Sequence, residues 1–577
     1  PFVVTGESGC GKTSVMAIVH KLVDDMKNST DCLRITRFLG TTVNTSSIYK
    51  TYKYISLQLH YFLNLITGNQ SFRQRYERYQ HESRDLNSLT ELIVEQLREI
   101  HSIEPKRKIV IILDSLDQLT PNDYKSVSKW LFMRLPVNVK LIVSTIPNHG
   151  NLLDLITKML IKRGDNSEEA TRNHILNVKE LNPEQSELIL RNWLDVANQT
   201  LNDSQWNHLR NIFRKGKLLP LFLKLIYDIV IKWHSYDEPD PDFLSCLKID
   251  EIIVYLFRQL ERTHGPLIVK RSICYMTVFK NGISDAELED LLSLDDDVLY
   301  SVFQFHLPPI RRLPTILWVR IKNDLAEYLV EKEANDTQVV FWYHRRFVDV
   351  AQENYLKHFT ADENKAVFPN ILDFYNETWK GREKPFKLND YLKKKLNKQK
   401  DEVDILADRF ISSQAIEFVT DDGQVHYNKR KLTELPNCLL NIASFMAIEK
   451  ACELIFYSYE FMHAKFSCES LNEINDDLNS LLSDRRSWSY ERDTRTENMF
   501  QQLRVFHNLM RLCGQQINDH PDSFGFQVTS RLLTYYGKKK FITKLIDESD
   551  RFSMKHCALV SPYAQLEPPG GYLCFSL

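Results

Sequence analysis

Phe2-Val3-Val4-Thr5-Gly6-Glu7-Ser8-Gly9-Cys10-Gly11-Lys12-Thr13 joins a short apolar run to a helical pattern over Ser14–Lys27, and Gly6–Thr13 satisfies G-x-x-x-x-G-K-[ST]. Glycines at 6, 9 and 11 free the backbone to curl until several N–H groups and the positive end of the following helix converge, a geometry suited to phosphate oxygens. Glu7, Ser8 and Cys10 contribute main chain to that cradle, Lys12 neutralises charge on β- and γ-phosphates, and the Thr13 hydroxyl is placed to ligate Mg²⁺. A glycine-rich turn is the bland alternative; the strand–loop–helix context argues against it.

A cradle of this kind calls for an acid at the C-terminal edge of a buried strand, where ligands collect in open α/β sheets. Ile109-Val110-Ile111-Ile112-Leu113-Asp114 supplies one. Asp114 is expected to hold Mg²⁺ directly or through water, and Asp117 to orient or deprotonate an attacking water, a turn or N-cap role being its alternative. A further buried strand, Lys140–Ser144, ends in hydroxyls; Ser144 is a candidate sensor of a γ-phosphate, or an ordinary strand-end serine.

Outward from the loop, short β-rich runs at Phe2–Thr5, Leu33–Leu39, Ile109–Leu113, Lys140–Ser144 and His174–Val178 alternate with helical patterns at Ser47–Ile66 and Leu86–His101. Runs such as IVIIL are apolar on both alternations, which predicts a parallel sheet covered by helices on both faces. After Leu181 the strand signals thin, and Asn182-Pro183-Glu184 opens a run of helices to about Tyr227. From Asp250 to Phe359 the pattern is mixed, with an acidic helix at Asp285–Leu292 and a β-like segment at Thr337–Trp342. Beyond a lysine-rich stretch at Lys380–Lys400, read as a solvated face, Leu432–Asp547 is mostly helical.

At 577 residues the chain is too long for one compact core, and a formal charge of −2 leaves no global basic field for nucleic acid or an anionic membrane. No apolar run has the length of a membrane span, and no nucleic-acid or membrane partner is expected. The 10 cysteines form no C-x-x-C pair, which fits a reducing compartment better than a zinc site or a disulfide framework.

The phrases PFVVTGESGCGKTSVMA, RFLGTT, IVIILDSLDQL, LIVSTIP, LLPLFLKL, WYHRRF, YNKRKLTELP and LEPPGG together resemble the NACHT group of signal-transduction ATPases, and more narrowly the NACHT and WD-repeat proteins. The resemblance implies an α/β P-loop NTPase domain with a five-stranded parallel sheet over 1–180, a helical domain over 181–249, a winged-helix domain over 250–360 and a C-terminal helical region over 361–577. It also implies that a WD-repeat propeller follows and that both ends are truncated. It carries over two residues. Pro220 resembles the helical-domain proline that packs on adenine, with a helix-start proline as its alternative. His344 resembles the winged-helix histidine that touches the diphosphate, with a packed core histidine as its alternative.

From this resemblance the expected cofactors are ATP or ADP with Mg²⁺, and the expected role is a cytoplasmic switch whose nucleotide exchange controls opening and self-association. Protein partners are expected through the propeller, and the nucleotide-dependent assembly is expected to be a homo-oligomer. The alternatives are a continuously cycling protein-remodelling ATPase and a scaffold with structural nucleotide. The chain departs from the pattern where Ile146 replaces a frequent Arg and Gln118 a frequent Glu. An isoleucine cannot stabilise developing phosphate charge, so hydrolysis is expected to be slow or to need an Arg from a neighbouring subunit.

Overall fold

In the computed structural model the described residues are 2–25, 32–41, 43–68, 86–119, 123, 127, 131, 135–147, 152–161, 174–356, 366–396, 404–440, 449–469, 471–483, 494–555 and 562–569. The chain forms two compact units, Pro1–Gln259 and Leu260–Leu577.

The first unit is built on strands β1 (Phe2–Thr5), β2 (Cys32–Phe38), β3 (Lys108–Asp114), β4 (Val139–Thr145) and β5 (Ile175–Asn177), all parallel, in the order β2-β3-β4-β1-β5. Helix α1 (Lys12–Asp25) covers one face, where Met16 packs with Val4 and Ile112. Helices α2 (Ile48–Thr67) and α3 (Leu86–Ile103) cover the other, where Ile55, Leu59, Ile93 and Leu97 meet Val3, Ile111, Leu113, Leu141 and Val143. Alternate strand residues therefore go to opposite apolar faces, which is why the strands read as continuous hydrophobic runs. Each such Leu, Ile or Val contributes about 1.5–3 kcal/mol by leaving water. The pair α2 and α3 is also fixed by a buried bond from the Ser56 hydroxyl to Gln96 Oε1, 2.9 Å.

Strand bounds fall within a residue or two of expectation. The last strand is shorter than His174–Val178 because those two end residues bond to β1 only through the His174 carbonyl and the Val178 N–H. The end of the pattern Ser14–Lys27 lies outside the described residues. After β5 come α5 (Pro183–Val196), α6 (Asp203–Lys215), α7 (Pro220–Val230) and a four-residue helical turn, Pro241–Leu244, with α4 (Leu152–Ile161) lying before β5. Asn182 with Gln185, and Asn202 with Gln205, form reciprocal capping boxes that stop the chain from fraying at α5 and α6. Helix α8 (Ile249–His264) contains the boundary between the units.

The second unit begins with α9 (Pro266–Val278), α10 (Asp285–Leu294), α11 (Asp296–Val302) and α12 (Thr315–Asp324). Strands β6 (Leu329–Ala334) and β7 (Thr337–Trp342) then form an antiparallel hairpin whose turn, Asn335-Asp336, holds both residues at positive φ (54° and 62°). That is the twist-matched two-residue turn Asn and Asp tolerate. Beyond α13 (Arg345–Ala351) and α14 (Val367–Tyr375), the hairpin of β8 (Glu383–Lys387) with β9 (Asp404–Asp408) occupies part of the lysine-rich stretch. Lys384 is buried there, donating to the Leu294 carbonyl at 2.5 Å and pairing with Asp296 at 3.0 Å, so the solvated-face reading is corrected for this residue. Lys398 lies outside the described residues.

A short hairpin of β10 (Glu417–Val419) and β11 (Val425–Tyr427) leads to α15 (Lys429–Leu440), and the unit ends in helices of which the longest is Thr494–Asp519. Buried Arg430 of α15 binds Glu287 of α10, the Gly282 carbonyl and Glu434, while Glu434 accepts the N–H groups of Lys280 and Asn281. This network ties the helices around the β6–β7 hairpin to α15 through satisfied charges.

Candidate nucleotide site

The stretch between β1 and α1 crosses the C-terminal edge of the sheet, and its three glycines sit at φ 159°, 88° and 92°. All three lie at positive φ, which penalises a side chain. Gly6 is needed for space: a Cβ there would lie 2.6 Å from Cys10 Sγ and 3.0 Å from the Val178 carbonyl. Lys12, 8% exposed, turns its ammonium back onto the Gly6 and Glu7 carbonyls at 2.9 and 2.8 Å. Among the described residues it meets no carboxylate, so a buried cation is held by neutral oxygens alone. Thr13 is exposed and Ser8 half-buried. Burial raises the Cys10 thiol above its ordinary pKa, outweighing the opposing pull of the Lys12 charge.

Asp114, 1% exposed, ends β3 next to β4. Its Oδ1 accepts the Ser144 hydroxyl at 2.5 Å and its Oδ2 the Ser115 hydroxyl at 3.2 Å. Ser115 then takes a left-handed turn, φ 63°, into the 3₁₀ turn Leu116–Gln118. Asp117 lies buried in that turn, with the Gln118 amide donating to its Oδ2 at 3.3 Å. The Gln118 side chain in turn packs on Gly40, where a Cβ would lie 2.7 Å from Gln118 Cβ; this joins the RFLGTT segment to the acidic turn.

Helix α7 closes on the loop from the side. The Leu221 N–H, unused at the start of its helix, donates to the Gly9 carbonyl at 3.2 Å, and the Pro220 ring lies 3.8 Å from the Cβ position of Gly11. Lys217 pairs with Glu7 at 2.5 Å on the exposed rim, a contact worth about 0–1 kcal/mol. The sequence marked Pro220 but not Leu221 or Lys217, which carry no motif of their own. Gly6–Thr13, Asp114, Asp117, Ser144 and Pro220 all lie in the first unit. His344 lies in the second, at the N-cap of α13, where its Nδ1 accepts the Arg346 N–H at 3.2 Å.

Could the group that this loop calls for be held here? A phosphate would supply the counter-ion that Lys12 lacks among the described residues. One hydroxyl and one carboxylate, from Thr13 and Asp114, match the sparse protein ligation of a phosphate-bound Mg²⁺. Among the described residues no cluster of three or more His, Cys, Asp or Glu is arranged as an all-protein metal cage.

The parallel sheet, the loop between its first strand and helix, and the buried acid at the end of β3, one strand beyond β1's neighbour β4, define the architecture of P-loop NTPases. Comparison with known proteins narrows this. Residues 2–145 match the family model described as nephrocystin 3, N-terminal, and residues 247–361 match the NWD1-like winged helix-turn-helix domain. Human NACHT and WD repeat domain-containing protein 2 is 25% identical over 98% of this chain and 31% of its own length. Human NACHT domain- and WD repeat-containing protein 1 is 28% identical over 76% of this chain and 26% of its own. Mouse telomerase protein component 1 is 20% identical over 34% of this chain and 7% of its own. The chain is thus a homologue of the NACHT and WD repeat domain-containing proteins, matched over 76% to 98% of its own length, and spans 26% to 31% of theirs. Among the described residues no helix is long and apolar enough to cross a membrane.

Proposed function

We propose that the chain binds ATP and ADP as a NACHT-type switch, with nucleotide exchange controlling opening and self-association. The observation that carries the reading is Lys12, a buried ammonium whose partners among the described residues are two carbonyls of a glycine-rich loop and no anion. A buried charge without a counter-ion is costly, and a β-phosphate entering the loop supplies one. Loop amides and the N-terminus of α1 would hold the phosphates, Pro220 would lie against the base, and Thr13 and Asp114 would hold Mg²⁺. The metal, when bound, neutralises charge on β- and γ-phosphate oxygens. Asp117 would orient the water for a slow hydrolysis, with Ile146 adding no cation.

A switch requires that ADP and ATP bind the two forms with different affinity. The Gly9–Leu221 bond and the Glu7–Lys217 pair support such a difference, because the loop that receives phosphate also fastens a helix outside the sheet. His344 is the second-unit residue whose substitution is expected to speed exchange. Size-exclusion chromatography and limited proteolysis with ADP, and with a non-hydrolysable ATP analogue, test the proposal. A larger species and a new cleavage pattern with the analogue are expected; identical elution and identical fragments would overturn it.

A further inference from the structure

We infer that Ser144 is a positioning residue that sets the affinity of the site for Mg²⁺ by orienting Asp114, and not a hydroxyl available to phosphate. The inference rests on the nucleotide reading above. A serine hydroxyl has one proton, and here it goes to Asp114 Oδ1 at 2.5 Å. A lone pair of the same oxygen accepts the Ser115 N–H at 2.7 Å. The residue is fully buried, in register with Val4 of β1 on one side and beside Asp114 on the other. Its hydroxyl is therefore committed to the turn of β3, and a phosphate oxygen could recruit that proton only by taking it from Asp114.

The arrangement has a directional consequence. One carboxylate oxygen is fixed by a short bond, while the other, among the described residues, has only the longer 3.2 Å contact with the Ser115 hydroxyl and is the one left to meet a cation. The same serine pins the N–H of Ser115, whose left-handed φ of 63° a non-glycine residue adopts only when its surroundings hold it there. Loss of the hydroxyl thus frees both the carboxylate rotamer and the turn carrying Asp117. Partners that orient a metal-holding carboxylate typically govern metal affinity by ten- to a hundredfold.

The test titrates Mg²⁺ against fluorescent ADP bound to the whole chain and measures ADP affinity separately in EDTA. Ser144→Ala is expected to raise the Mg²⁺ midpoint roughly tenfold or more and to leave metal-free ADP affinity within about twofold, because the loop amides and Lys12 are untouched. Ser144→Thr, which keeps the hydroxyl, is expected to restore the midpoint. A wild-type midpoint in a folded Ser144→Ala protein overturns the inference while leaving nucleotide binding intact. Should the alanine variant not fold, Ser144→Cys, close in size with a weaker donor, is expected to raise the midpoint, and an unchanged one overturns the inference. Wild-type protein that takes up no ADP in either buffer overturns the nucleotide reading and this inference with it.

Discussion

The Leu221 N–H donates to the Gly9 carbonyl at 3.2 Å, fastening the middle of the glycine-rich loop to the first turn of α7. The contact is tight: a Cβ on Gly9 would lie 3.0 Å from Leu221 Cβ and 3.2 Å from Ile249 Cδ1, at a φ of 88°. Gly9→Ala is expected to destabilise by roughly 2–4 kcal/mol, combining left-handed strain with overpacking. Gly68→Ala, at φ 70° with no atom of the described residues within 4 Å of the new Cβ, carries the strain alone and is expected to cost about 1–2 kcal/mol. Denaturant unfolding of both variants measures the difference, and equal losses would show that Leu221 does not confine the loop.

Lys12→Ala is expected to weaken ADP binding by about a hundredfold or more, corresponding to roughly 3 kcal/mol, with a smaller change in stability. Its two bonds end on carbonyls beside an accessible loop, so the apo protein loses little when they go. Calorimetric titration checks the first part and thermal unfolding without nucleotide the second. Similar affinity for both proteins would mean that the ammonium does not face phosphate.

Cys10 lies in the loop next to a cation and near a helix start, features that usually activate a thiol. Here burial wins, and the thiol is raised above its ordinary 9.0. The sign follows: as pH rises through 9.0 the unfolded chain releases this proton before the folded one, so Cys10 contributes a loss of stability on the alkaline side and none at neutral pH. Alkylation at pH 8, followed by peptide mass spectrometry, is expected to be several-fold slower at Cys10 in the folded protein than in urea. Equal rates would contradict its burial.

In the second unit, Arg430→Met is expected to cost roughly 3–5 kcal/mol, because it leaves Glu287 and Glu434 as buried carboxylates without their cation. Combining it with Glu287→Gln is expected to lose less than the sum of the single changes. Additive losses in urea unfolding would show that the three groups do not act together.

The parts of this molecule legible in the sequence are those set by local pattern. The apolar runs fix β1, β3 and β4, the spacing of Gly6, Gly9, Gly11 and Lys12 fixes the loop, and Asp114 follows from its place after IVIIL. What was not legible depends on register and long-range packing. Nothing near Ser144 announces that β4 places it beside Asp114, 30 positions away, and nothing in Leu221 announces Gly9. Lys384 illustrates the same limit from the other side: a lysine-rich run reads as solvated, yet alternation along β8 turns this one inward to Leu294 and Asp296. The hairpin β10–β11 was unforeseen as well, its strands being three residues each and largely exposed.

The central claim is that an adenine nucleotide with Mg²⁺ is held by the loop Gly6–Thr13. Its most direct test is to denature freshly purified protein in acid and to identify and count the nucleotide released, for the wild type and for Lys12→Ala. Close to one ADP or ATP per wild-type chain, and almost none from the variant, is the predicted result. Wild-type protein that releases no adenine nucleotide and takes none up when it is supplied with Mg²⁺ would contradict the claim.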